Sequence, residues 1–328
     1  MKLKLLAACF ALLLAQGSLH HPEWELKPVP DLEGLEKQSV TISTGTQTGL
    51  PNLPLKVSDE HFKPLDACRD QTLQRSLQKQ LLRDPVFARL VGDRKLCLGL
   101  VDLRDWRNPR YASINGKEML YAASLPKIAV LLAVEDAIHK GEVTESEALR
   151  KDMNQMIRFS NNSSTTRIID ILGYEKIESV LRAPENQFYQ EADGGGLWVG
   201  KRYARNKGGT NREPLKNLSH AANAYQVCRY YYRLAFGRLV SYERSKDMLE
   251  SMKDPGIKHK FVHSLVQIAP EASLYRKSGS WKSWHSDSVL VWDEDRKYIL
   301  VALTEDPRGE QTVRSLVGVV EKTLVAVN

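Results

Sequence analysis

Apolar residues recur along this chain at two spacings, and each change of spacing marks a change of element. Leu65, Cys68, Leu73, Leu77 and Leu81 fall near helical spacing and predict a first helix over Asp66 to Leu82. Lys95 to Leu103 is an almost unbroken apolar run of strand length, which reads as a buried strand. A turn at Asn108-Pro109 follows, and Tyr111 to Ile114 and Met119 to Tyr121 flank Asn115-Gly116 in the pattern of a hairpin. Helical periodicity returns from Ser124 to Lys140, with Pro126 suited to a first turn and Gly141 to a stop. Further helices are predicted over Ser146 to Arg158, Ser163 to Leu172 and Ser219 to Phe236, the last capped by Ser219 and ended by Gly237. Its Tyr225, Tyr230, Tyr231 and Tyr232 read as packing residues. Near the C terminus, Leu274 to Ser280, Ser288 to Trp292 and Tyr298 to Thr304 predict three antiparallel strands, and Gln311 to Val325 a closing amphipathic helix. Strands at both ends with helices between imply an α+β domain whose sheet is assembled from distant segments.

The stretch before Asp66 has a different character. Lys2 and Lys4, the apolar run Leu5 to Leu14 and the small-residue site Ala15-Gln16-Gly17 have the form of a signal peptide, so Met1 to Gly17 is expected to be a cleaved leader. Leu6-Ala7-Ala8-Cys9 also matches a lipoprotein box, a second way in which the leader could be processed. Residues 18–63 are rich in proline and turn residues and predict an extended arm or linker, leaving 64–328 for the main domain. No later stretch has the ~18 consecutive apolar residues of a membrane span.

Composition narrows the chemistry. The formal charge of +7 favours anionic surfaces, and cations gather at Lys201, Arg202, Arg205, Lys207, Arg212 and Lys216, either as a solvated loop or as an attractor for a carboxylate-bearing substrate. No helix carries the aromatic and basic stripe of a nucleic-acid reader, so nucleic acid is not an expected partner. No histidine or cysteine spacing resembles a zinc site, and no metal or other cofactor is expected. Cys68, Cys97 and Cys228 allow at most one internal bridge; Cys68 with Cys97 is the favoured pair, set against three buried thiols.

Three short motifs occur in order: Ser124-x-x-Lys127, Ser160-Asn161-Asn162 and Lys277-Ser278-Gly279. In a helix, positions i and i+3 share a face, so Ser124 and Lys127 pair a nucleophile with an amine. A serine hydroxyl is a weak nucleophile and needs a base, and a lysine can serve only if burial or a second cation keeps it partly neutral. The first motif therefore demands a dry, cationic pocket, and the third brings another lysine.

The ordered triple resembles the class A β-lactamase and penicillin-binding protein superfamily, from about Asp66 to the C terminus. Met156-Ile157-Arg158-Phe159, Ile168 to Gly173 and Ser280-Trp281 carry the likeness beyond the motifs. The resemblance implies an α+β fold, with a five-stranded antiparallel sheet flanked by helices and a mostly helical subdomain over roughly 124–270. It implies that Ser124 attacks an amide or β-lactam carbonyl with Lys127 as proton acceptor. The oxyanion would lie between the amides of Ser124 and Ser280, and Ser160 would pass a proton to the leaving nitrogen. Asn162 would bind the substrate amide and orient Lys127, Lys277 would raise the positive potential, Ser278 would bind a substrate carboxylate, and Gly279 would permit close approach. The implied partner is a small β-lactam or a peptide derived from peptidoglycan.

The chain also departs from the pattern. The helical stretch between Ser124 and Ser160 is shorter than class A enzymes carry, and no arginine follows the third motif in Lys282 to Asp287. Glu213-Pro214-Leu215-Lys216-Asn217 has the form of the loop whose glutamate activates the deacylating water, but it falls late in the chain. With a positioned glutamate the chain is a β-lactamase. Without one, the expectation is a D,D-peptidase-like or esterase-like penicillin-binding hydrolase, and a non-catalytic cell-envelope binding module is the reading from a different class.

Overall fold

Segments far apart in sequence meet edge to edge, and the central ones are apolar enough to be covered on both faces. In the computed structural model, which describes residues 50–204 and 208–327, the main sheet joins β1 (Leu96–Asp102), β2 (Arg110–Ile114), β8 (Ser273–Trp281), β9 (Trp284–Trp292) and β10 (Lys297–Glu305). The order is β2-β1-β10-β9-β8, and every pairing is antiparallel. All seven residues of β1 are buried, and the strand's period of two assigns them to two cores. Leu96, Leu98 and Leu100 face a cluster with α1 (Gln71–Leu81), α2 (Pro85–Gly92), α8 (Phe261–Ile268) and α9 (Gly309–Val325). Cys97 and Val101 face the larger cluster, which contains α3 (Lys127–His139), α4 (Glu147–Arg158), α5 (Asn162–Arg182), α6 (Ala224–Ala235) and α7 (Tyr242–Met252). Burial on both faces is why the run in Lys95 to Leu103 does not alternate.

Helix α3 is the centre of the helical part, buried at every position from Lys127 to Ala137. Beside it lie short strands: β3 (Leu120–Tyr121), β6 (Trp198–Val199) and β7 (His220–Ala222) form one small sheet, and β4 (Tyr189–Gln190) and β5 (Gly195–Gly196) pair in another. The α+β architecture, with a five-stranded antiparallel sheet, is the one expected from the sequence.

Several local expectations change. The first helix is split: Leu65–Cys68 forms a 3-10 turn, and α1 starts only after Asp70, whose carboxylate accepts from Leu73 N at 2.6 Å. Tyr121 pairs with β7 instead of continuing the hairpin of β2. Helix α5 begins at Asn162 and runs beyond Leu172, with Gly173 at φ 76° breaking it. Ser219 caps nothing, because His220–Ala222 is a strand and Asn223 supplies the cap of α6 by accepting from Gln226 N at 2.8 Å. Helices α2, α7 and α8 are too short for their periodicity to stand out, though Asp84 and Ser241 mark two of the starts as side-chain caps.

Cys68, Cys97 and Cys228 are buried and free, so the favoured Cys68–Cys97 bridge is not formed. Cys228 instead lies under β1, where Gly99 leaves room for its sulfur. Met1 to Gly17, with Cys9, and the arm as far as residue 49 lie outside the described residues. Residues 50–63 lie against the body: Leu55 N donates to Ala235 O at 2.7 Å, and Trp292 Nε1 to Pro51 O at 2.8 Å. Among the described residues no helix is long and apolar enough to cross a membrane.

Candidate active site

Ser124 lies in the turn between β3 and α3. The helix starts at Lys127 with Pro126 at its N-cap, so Ser124 stands just before it and not in its first turn. Leu125 N donates to Ala122 O at 3.0 Å and Lys127 N to Ser124 O at 3.3 Å, which fixes the turn, while Ala123 takes a left-handed φ of 49°. Half-buried Ser124 thus presents its amide and hydroxyl at the top of the most buried helix.

Ser160 occupies the connection between α4 and α5 at φ 55°, a left-handed conformation that costs a non-glycine residue energy and recurs at functional sites. Asn161 caps α5 by accepting from Ser164 N at 2.9 Å, placing Asn162 at the helix start. The third motif lies on β8, an edge strand. A Cβ built on Gly279 would stand 2.3 Å from Ala122 O, 2.6 Å from Ser124 N and 2.8 Å from Leu125 N. Gly279 is therefore the residue that lets β8 lie flush against the Ser124 turn.

The side chains converge on Ser160. Lys127 Nζ donates to Ser160 O at 2.6 Å, Asn162 Oδ1 at 2.8 Å and Ser160 Oγ at 3.3 Å. Lys277 Nζ reaches the same Oγ at 2.9 Å and Ser278 O at 2.7 Å. One hydroxyl thus bridges two lysines that are almost wholly buried. Burial pushes Lys127 down to about 7, and it lowers Lys277 strongly too, with the charges of Lys127 and Arg276 adding to the effect. Among the described residues the Ser124 and Lys127 side chains share no hydrogen bond, so the pairing expected from i, i+3 spacing takes the form of a Lys127–Ser160–Lys277 chain beside Ser124. Of the expected site residues, Lys127, Ser160, Asn162 and Lys277 are hydrogen-bonded together, Gly279 touches the Ser124 backbone, and Ser278 and Ser280 continue along β8.

Two residues that the motif reading missed complete the wall. The Tyr203 ring lies 4.6 Å from the Lys127 ammonium, and its hydroxyl donates to Ala123 O at 3.2 Å. His220 packs on Tyr203 with centroids 4.1 Å apart and is driven down to about 4 by burial. Its Nε2 faces Lys201 O at 3.0 Å, so the neutral ring carries its proton there. Tyr203 stands within the basic segment that starts at Lys201. In that segment Arg202 pairs with Asp170 and Lys216 with Glu118, while Arg205 and Lys207 lie outside the described residues.

Glu213 is buried, and its carboxylate is taken up by its own loop. It accepts from Lys216 N at 2.6 Å, Leu215 N at 2.8 Å, Leu218 N at 3.1 Å and Tyr189 Oη at 2.9 Å. Four donors occupy the acceptor capacity of one carboxylate. The loop resembles a water-activating loop in sequence, but here its glutamate braces a turn.

Among the described residues no cluster of histidine, cysteine and carboxylate groups could hold a metal ion. The family model described as "Beta-lactamase enzyme family" matches residues 148–326, more than half of the chain. No curated protein matches the sequence. Among solved structures, the β-lactamase from Sphaerobacter thermophilus superposes with a TM-score of 0.57 at 14% identity, over 77% of this chain and 95% of that one. The structure of PBP-A superposes at 0.54 with 19% identity, over 83% of this chain and 100% of that one. A PBP-A variant in an acyl-enzyme complex with penicillin G gives 0.52 at 22% identity, over 77% and 98%. At these identities the likeness is one of fold.

Proposed function

The chain belongs to the beta-lactamase enzyme family and is a β-lactamase-like hydrolase, and from that premise we propose that it works through an acyl intermediate on Ser124. The observation that carries this reading is the Ser160 hydroxyl held between two buried amines beside the Ser124 turn. In the proposed acylation, neutral Lys127 accepts the Ser124 proton as Oγ attacks an amide or β-lactam carbonyl. Ser160 passes a proton to the leaving nitrogen, so the amide bond breaks as the ester forms. The amides of Ser124 and Ser280 receive the oxyanion, a role supported by the close approach of Gly279 to the Ser124 backbone. Asn162 orients Lys127 and meets the substrate amide, and Lys277 and Ser278 favour an anionic substrate. The leader-like Met1 to Gly17 supports export, and a β-lactam or a peptide derived from peptidoglycan is the proposed substrate class.

A second reading concerns the water step. The engagement of Glu213 by three loop amides and the Tyr189 hydroxyl favours a penicillin-binding hydrolase with a persistent acyl-enzyme over a rapidly turning-over β-lactamase. Time-resolved intact mass spectrometry after mixing with benzylpenicillin tests both. A mass gain of one ligand that is absent in Ser124→Ala establishes acylation at Ser124. Persistence of that adduct supports the penicillin-binding reading, and rapid loss supports the β-lactamase. Equal labelling of the alanine variant would remove Ser124 as nucleophile.

A further inference from the structure

The middle and end of α6 carry more positive charge than nearby carboxylates neutralise. Arg229 and Arg233 stand one turn apart on the helix, and Arg238 follows its end. All three are half-buried and line a cavity of about 250 Å³ together with Phe62, Leu65, Tyr232 and the exposed Glu185. Like charges at i, i+4 repel and destabilise a helix, so the arrangement calls for a counter-charge. Arg238 has one, the carboxylate of exposed Asp59, and also donates to Val57 O at 2.9 Å. Arg229 and Arg233 make no ion pair among the described residues. Arg229 Nη1 donates to Gln187 O at 3.0 Å and Gln226 Oε1 at 3.1 Å, which leaves its Nε and Nη2 without acceptors among those residues. Arg233 Nη1 donates to Glu185 O and, at 3.5 Å, to Asn186 Oδ1, and its Nη2 donates to Arg238 O at 2.8 Å, with Nε unengaged. Burial holds Arg233 down to about 10, with Arg229 adding to the effect, Glu185 opposing it and Arg238 adding again, so the group is still charged at neutral pH.

Aromatic faces fix these guanidinium groups while leaving N–H edges available. The Arg229 and Arg233 guanidinium carbons lie 5.1 and 5.8 Å from the ring centroid of buried Phe188, and that of Arg238 lies 4.3 Å from the centroid of Phe62. A guanidinium held on a ring face keeps its donors for another partner. Two unpaired guanidinium forks at one cavity suit a doubly charged oxyanion, and phosphate presents its oxygens in the geometry that arginine forks bridge. The apolar wall of Phe62, Leu65 and Tyr232 suits an organic group attached to that phosphate. Glu185 opposes an anion only weakly, because an exposed carboxylate is screened by water. We propose that this cavity binds a phosphate monoester, with the phosphate between Arg229 and Arg233 and a small apolar group on Phe62, Leu65 and Tyr232. The site stands apart from the acyl-serine reading, since no lining residue belongs to the three motifs.

Phenyl phosphate is the probe, and calorimetry on the full chain reads its affinity. Phenol lacks the charge and inorganic phosphate lacks the ring, so each should bind about tenfold or more weakly than the ester. Arg229→Gln and Arg233→Gln should each weaken phenyl phosphate by about tenfold to a hundredfold, the scale of one charge-assisted hydrogen bond. Glu185→Gln is an exposed change that keeps the main-chain carbonyl; it should tighten binding by up to about fivefold, and it reports on the site even where an arginine variant fails to fold. Lys277→Met, which removes a buried cation of the candidate active site, should leave the affinity within about twofold. Glycerol phosphate and vesicles containing phosphatidic acid then serve as competitors. Displacement by the first identifies a soluble ester as the source of the phosphate, and displacement by the second a lipid headgroup; either supports the site, and displacement by neither overturns it. Absence of binding at millimolar phenyl phosphate, an unchanged affinity in both arginine variants and in Glu185→Gln, or loss of binding in Lys277→Met also overturns the proposal.

Discussion

If Lys127 is the proton acceptor, acylation must follow the deprotonation of a buried amine, and the pH profile is set by that burial. With Lys127 at about 7, its neutral fraction rises about fiftyfold between pH 5 and pH 7 but only about twofold between pH 7 and pH 9. A solvent-exposed lysine near 10.4 would give roughly a hundredfold rise over that second interval. Stopped-flow acylation by benzylpenicillin, read as adduct formation under single-turnover conditions, distinguishes the two. Lys127→Met supplies the control, and its acylation should fall by about a hundredfold to ten-thousandfold, the usual worth of a positioned general base. The same variant should be more stable at neutral pH. Lowering a lysine from 10.5 to about 7 costs about 4 kcal/mol at pH 7, because the unfolded chain binds a proton that the folded chain holds poorly. Losing the bonds to Ser160 O and Asn162 Oδ1 offsets about 1–3 kcal/mol of this, which leaves a net gain of roughly 1–3 kcal/mol. The gain is fullest below the folded value, shrinks as pH rises through the window from about 7 to 10.5, and vanishes above it. Chemical denaturation at pH 6, 8 and 10 measures that trend. Acylation that keeps climbing tenfold per pH unit through pH 9, or a variant less stable at every pH, would refute the argument.

Other perturbations address separate parts of the site. Gly279→Ala should reduce acylation by about a hundredfold or more, since its methyl would meet three backbone atoms of the Ser124 turn and push β8 away; single-turnover labelling reads this directly. Glu213→Gln should lower stability by about 2 kcal/mol, because an amide nitrogen would face loop donors, while acylation and adduct lifetime stay within a few-fold of the parent. An adduct made long-lived by that change would instead make Glu213 the water-activating base. Asp287→Asn should cost about 3–5 kcal/mol in urea unfolding, since it leaves Arg276 a buried charge without its pair.

Strands β1 and β10 were legible because each is an almost unbroken apolar run, and β8, β9 and β10 appear within a few residues of their expected bounds. The three motifs were legible because their residue types are rare in that order, and four of their side chains do converge. Helices α2 and α8 went unseen because eight residues hold too few turns for a period to emerge. Tyr203 went unseen for another reason: it belongs to no motif, and it matters only because of what lies next to it after folding.

The loop around Glu213 marks the boundary most sharply. Its five residues fit the pattern of a water-activating loop, yet backbone amides two, three and five residues onward consume the carboxylate. The local sequence determined which groups could react: a serine, a lysine, a second serine, an asparagine and a second lysine, in that order. Only the tertiary structure decided their protonation and their partners, because a lysine loses its proton near neutral pH through burial, and burial is assembled from α3, α5 and β8 together.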